Sequence, residues 1–155
     1  MLKRCQNNTK IVVELPLTGR IIMERKLTLL SGVREKPHLG SIPQQKMKFN
    51  IFDIEGEIVK DNDTYILEDN TSLNNLVVSS TLLKPFQETR GHSHKGKEEV
   101  YFFIKGRGEM TIDDKTFSVS TEDVVTIPDG AFHKVKNLTG SYLYFVCVFE
   151  GNRDH

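Results

Sequence analysis

The 155-residue chain has no tryptophan, only two cysteines and no surplus of either charge, with 21 Lys plus Arg against 21 Asp plus Glu. Charge balance removes the electrostatic case for nucleic acid or an anionic membrane surface, because neither meets a basic excess. Cys5 and Cys147 stand near opposite ends with no CxxC pair. They are read as reduced or packed thiols, not as a disulfide framework. No apolar run approaches the ~18 residues of a membrane helix. The opening MLKRCQNNTK is basic but has no apolar stretch behind it, unlike a secretory leader. A cytoplasmic location is the expectation. With 37% hydrophobic residues, the core must be built from Leu, Ile, Val and nine Phe. At this length roughly two-thirds of the unfolded surface can still be buried, enough for one domain spanning residues 1–155.

What the sequence does have is a period of two. Alternating or β-branched segments at 46–54, 64–67 and 74–83 predict strands. A denser series follows at 98–104, 108–113, 115–119, 123–127, 131–137 and 142–149. Turn chemistry separates them: Gly106-Arg107-Gly108, Asp113-Asp114, Ser120-Thr121-Glu122, Pro128-Asp129-Gly130 and Leu138-Thr139-Gly140. Short strands at such spacing argue an all-β sandwich or barrel. Residues 11–15 and 21–30 suggest two further strands, and 35–45, with Pro37, Gly40 and Pro43, an irregular connection. The N-terminal strands are assigned to 1–73 and the barrel to 74–150.

Three of the five histidines, His92, His94 and His133, fall in the strand-dense half. On a strand, the one-residue spacing of His92 and His94 puts both imidazoles on one face. Glu99 follows a short Lys95-Gly96-Lys97 turn and can bring an oxygen to the same spot. His133 alternates with Ala131, Val135 and Asn137, so its face points into a core. Three imidazoles and a carboxylate form a mixed nitrogen and oxygen site for a borderline divalent metal, with positions left for substrate. His38, in a Pro/Gly segment, and His155 fall outside this group.

The spacing of these residues resembles the cupin signatures. The first reads His92-Ser93-His94, four residues, Glu99, six residues, Gly106. The second, PxGxxHxxxN, reads from Pro128 through Gly130 and His133 to Asn137. Two glycines of the family pattern are replaced, by Phe86 and Glu122. The resemblance covers about residues 74–150 and implies a double-stranded β-helix, or jelly-roll barrel. It also implies one divalent transition metal (Fe, Mn, Zn or Ni) held by His92, His94, Glu99 and His133, and a homodimer.

Substrate residues are sought beside the ligands. Tyr101 shares the inward face of Glu99, and Arg90 precedes the histidine pair as a candidate for a substrate carboxylate or phosphate. The string Thr89 to His94 also resembles the opening of cupin-type sugar-phosphate isomerases. The leading expectation is an isomerase or epimerase of a small sugar-like or hydroxy-acid substrate. An Fe(II)-dependent dioxygenase and a non-enzymatic sugar-sensing module are the alternatives. The 142–149 strand is apolar on both faces, which predicts a cover over its outer face, from residues 11–15 or 21–30 or from a second subunit.

Overall fold

A computed structural model of the chain describes residues 11–13, 21–23 and 47–151. The chain divides into two units, residues 1–46 and 47–155. In the first, β1 (Ile11–Val13) and β2 (Ile21–Met23) pair antiparallel, with Val12 opposite Ile22. The remainder of the predicted strands 11–15 and 21–30, the 35–45 connection, Cys5, His38 and His155 lie outside the described residues.

The second unit holds nine strands: β3 (Glu57–Asp61), β4 (Tyr65–Asn70), β5 (Leu76–Leu83), β6 (Glu99–Lys105), β7 (Arg107–Ile112), β8 (Lys115–Ser120), β9 (Val124–Ile127), β10 (His133–Asn137) and β11 (Leu143–Glu150). They form a six-stranded sheet, β3-β4-β5-β11-β6-β9, and a three-stranded sheet, β10-β7-β8, antiparallel throughout. This is the all-strand, double-stranded β-helix architecture that the signatures imply. The described residues contain no helix, and none long and apolar enough to cross a membrane.

Alternation decides which residues enter the core. On β11, Leu143, Phe145, Cys147 and Phe149 face Leu83 and Val77 of β5 and Phe103 and Tyr101 of β6. With Met110, Val119, Ile127 and Val135 they form the interior. Full burial of such side chains contributes about 1.5–3 kcal/mol each. The other face of β11 is also covered. Tyr144 and Val146 pack with Ile54, bordered by Phe49, Phe52, Val78, Leu82 and Ile104.

That cover corrects two expectations. Of the expected strand at 46–54, the described residues 47–54 are not a strand: they contain a turn closed by an isolated Asn50–Asp53 bridge. Their apolar side chains lie over the large sheet, with the Phe52 ring 5.8 Å from that of Tyr144. Tyr144 Oη donates to Ile51 O at 2.8 Å, and Gly56 N–H donates to buried Glu68 Oε1 at 2.9 Å. The cover over Tyr144 and Val146 is therefore this segment of the same unit. The described strand preceding β4 is instead Glu57–Asp61, exposed along its whole length. An edge strand wet on both faces has no alternation for a pattern to reveal.

Two backbone positions bear on the replaced glycines. Phe86 and Glu122 both adopt left-handed backbone, with φ of 58° and 77°. Both turns thus adopt backbone that favours glycine, held by Phe86 N–H donating to Thr139 O and Glu122 N–H to Phe103 O. Gly106 is retained at φ 97°, where a Cβ would lie 2.8 Å from Tyr142 O.

Candidate metal centre

Two ligand candidates come from regular strands. Glu99 opens β6, its carboxylate on the same inward face as Tyr101 and Phe103. His133 opens β10 opposite Ile112 of β7. Both are nearly enclosed, at 6% and 2% exposure. Val135 and Asn137 continue the buried face of β10. Asn137 is structural: its amide donates to Lys84 O at 3.0 Å and Ser141 O at 2.7 Å, and its oxygen accepts from Thr139.

The other two come from an irregular segment. Residues 86–92 run antiparallel beside β10 without forming a regular strand. Asn137 N–H donates to Gln87 O, Thr89 N–H to Val135 O, and His92 and His133 exchange both backbone hydrogen bonds. Thr89 Oγ1 accepts from Val135 N–H at 3.0 Å, a side chain standing in the ladder. Gly91 at φ 78° lies under the Phe132 ring, where a Cβ would collide with Cζ. His92 and His94 are thus not on a strand, as their spacing suggests, yet their rings converge.

One ligand atom from each of His92, His94, Glu99 and His133 can be chosen so that all lie within 4.8 Å of one another. His94 Nε2 stands 3.2 Å from Glu99 Oε1, and His133 Nε2 stands 3.5 Å from Glu99 Oε2. The His92 ring centroid is 4.4 Å from that of His133 and 4.6 Å from that of His94. Exposure is graded: His92 faces solvent, the His94 side chain is 10% exposed, and the other two are buried.

His133 Nδ1 lies 3.1 Å from Ala131 O. A carbonyl only accepts, so the ring proton is on Nδ1, and in the neutral ring Nε2 presents a lone pair. Glu99 Oε2 and His133 Nε2 are both buried without a hydrogen-bond partner. With His133 neutral, two buried acceptors 3.5 Å apart are costly. A cation between them removes that cost. The donor set, three imidazoles and one carboxylate, suits a borderline divalent ion. The residues present therefore fit a metal. Burial raises the pKa of the Glu99 carboxyl, but where the metal-free rings carry a proton the hydrogen bond from His133 and the charges of His133, His94 and His92 outweigh it and hold the group below the usual range.

Of the two substrate candidates, Tyr101 is buried, its ring centroid 5.8 Å from His133 and stacked 5.3 Å from Phe145. It forms the wall beneath His133. Arg90 is exposed, two residues before His92. Sequence reasoning missed Asp129, whose carboxylate reaches the loop between His94 and Glu99. A groove of about 410 Å³ lined by Arg107, Gly108, Ser118, Val119, Ser120, Leu138 and Thr139 is separate. It opens where β7 pairs Gly108 with Asn137, the end of that ladder away from the Ile112–His133 pair.

Residues 81–149 match the family model of the cupin domain. An uncharacterised protein of Methanocaldococcus jannaschii is 38% identical over 56 residues, 36% of this chain and 45% of that protein. The match thus spans under half of that relative's length. Among solved structures, a Klebsiella pneumoniae protein with a double-stranded β-helix domain superposes with a TM-score of 0.60, at 20% identity over 68% of this chain and 90% of that one. KdgF from Halomonas sp. gives 0.57, at 15% identity over 64% and 90%. Bacillus subtilis oxalate decarboxylase, an enzyme with Mn(II) centres, gives 0.57, at 21% identity over 65% and 29%. At these identities the superpositions establish the fold alone. Residues 81–149 are a cupin domain by their match to that family model.

Proposed function

We propose that this protein is a metal-dependent enzyme that acts on a small sugar-like or hydroxy-acid substrate by isomerase or epimerase chemistry. The observation that carries the metal is the facing pair Glu99 Oε2 and His133 Nε2, buried and without partners inside a four-donor cluster. A small polar substrate is supported by the exposure gradient, in which His92 alone of the four candidate ligands is exposed while Tyr101, Phe145 and Phe149 are buried.

A bound divalent ion would supply Lewis-acid polarisation of a substrate carbonyl or hydroxyl. His92, His94, Glu99 and His133 would hold it, with His133 fixed in the required tautomer by Ala131 O. Glu99, the one carboxylate among the four donors, would offset part of the ion's charge. Tyr101 would exclude water from beneath His133, and Arg90, at the exposed rim, would attract a carboxylate or phosphate of the substrate.

The test is metal analysis of protein purified without added metal, followed by incubation with candidate hydroxy acids and aldoses in D₂O. Solvent deuterium on the substrate carbon, with no O₂ uptake, is the expected result. Bound iron with substrate-dependent O₂ uptake would replace this reading with the dioxygenase. Binding without turnover would replace it with a sensing module.

A further inference from the structure

The turn that precedes His133 touches the segment that carries His92 and His94 and the turn that leads on to Glu99. Gly130 N–H donates to His94 O at 3.0 Å, Ala131 O accepts from His133 Nδ1, and the Phe132 ring lies against Gly91 beside His92. The fourth contact is Asp129. Its Oδ1 alone accepts from Gly96 N–H and Lys97 N–H, at 2.5 and 3.2 Å. These two amides belong to the turn that joins His94 to Glu99, where Gly96 has φ 79°. Residues 95–98 lie outside any strand, so no ladder holds this turn.

We propose that Asp129 is a positioning residue of the metal centre, latching the loop between His94 and Glu99 to the loop that carries His133. The inference rests on the metal reading of the cluster above. The family signature leaves this position open, so no motif marks it. A carboxylate accepting from two successive backbone N–H groups is a charge-assisted clamp. It restricts the 95–97 turn, and with it the approach of His94 toward Glu99. Losing it leaves four ligands in place but lets two of them drift, as when the supporting partner of a metal ligand is removed.

The experiment uses full-length protein loaded with Mn(II), with release followed by chelator competition and the site followed by the Mn(II) EPR spectrum. Asp129→Ala should release Mn(II) about 10–100-fold faster and broaden the spectrum. The metal-free protein should melt near the wild-type temperature, since the Asp129 side chain is at the surface. Asp129→Asn should restore slow release, because one amide oxygen can accept both bonds. Wild-type release and an unchanged spectrum in Asp129→Ala would overturn the assignment alone. Asparagine behaving like alanine would also overturn the hydrogen-bonded latch. Wild-type protein that takes up no metal would overturn the reading of the site and this assignment with it.

Discussion

The two halves of the candidate metal centre are held in opposite ways. Glu99 and His133 sit at the starts of regular strands, enclosed by the barrel, with one carboxylate oxygen and one ring nitrogen left without partners. His92 and His94 sit on an irregular segment near solvent, held by scattered hydrogen bonds from β10 and from the 128–132 turn. The buried half is fixed by the fold and, while His133 is neutral, sets two unpartnered acceptors against each other without metal. The exposed half costs little and is only as ordered as its hydrogen bonds. Affinity should therefore be dominated by the buried half, and access and release by the exposed half.

Breaking the buried half should have the largest effect. His133→Ala should lower metal affinity by well over the roughly 100-fold that a supporting residue is worth, since it also leaves Glu99 Oε2 in a water-poor hole. His92→Ala should weaken binding less, because a water can enter at its exposed position. Titration calorimetry of both variants checks the order; equal losses would erase the distinction between the halves. Circular dichroism should show the barrel intact in each, because its strands are held by ladders and by the Phe103 and Phe145 core.

Acid sharpens the comparison. The Glu99 carboxyl is held below its usual value of 4.5. A depressed carboxylate contributes stability that is full above the unfolded pKa and lost as pH falls through the lower folded one. Metal-free protein should therefore lose stability below about pH 4.5, and Glu99→Gln should flatten that acid limb in denaturant melts. Metal affinity should decline earlier, as pH falls through the histidine range near 6.5. An acid limb that persists in Glu99→Gln would locate the sensitivity elsewhere.

A smaller effect is expected at the replaced glycines. Left-handed backbone costs a non-glycine residue about 1–2 kcal/mol, partly offset by the greater chain entropy glycine loses on folding. Glu122→Gly should stabilise the protein by about 0.5–1 kcal/mol and leave metal binding untouched. Phe86→Gly should gain less, because the Phe86 ring lies 3.6 Å from the place of a Gly140 Cβ and loses that packing. Thermal melts of both variants provide the check.

Much of this was legible in the sequence because it depends on local pattern. Strands such as β6, β7 and β10 alternate in burial, and turns whose residues announce them separate the strands from β6 to β11. The four ligands appear as two spaced motifs. What was hidden depends on tertiary contact. Phe49, Phe52 and Ile54 look like strand residues, but their apolar character serves to cover Tyr144 and Val146. Glu57–Asp61 is wet on both faces and has no pattern to read. The same-face argument for His92 and His94 reached the right cluster through the wrong element, since hydrogen bonds to β10, not a ladder of their own, aim the rings. Asp129 has the composition of any turn aspartate, and only its distance to Gly96 distinguishes it.

The most direct test of the central claim is the metal stoichiometry of wild type beside His133→Ala, each loaded with Mn(II) at neutral pH, freed of excess ion and assayed by mass spectrometry. One ion per wild-type chain and close to none per His133→Ala chain is the expected result. Equal metal content in the two proteins, or none in either, would contradict the assignment of His92, His94, Glu99 and His133 as a metal centre.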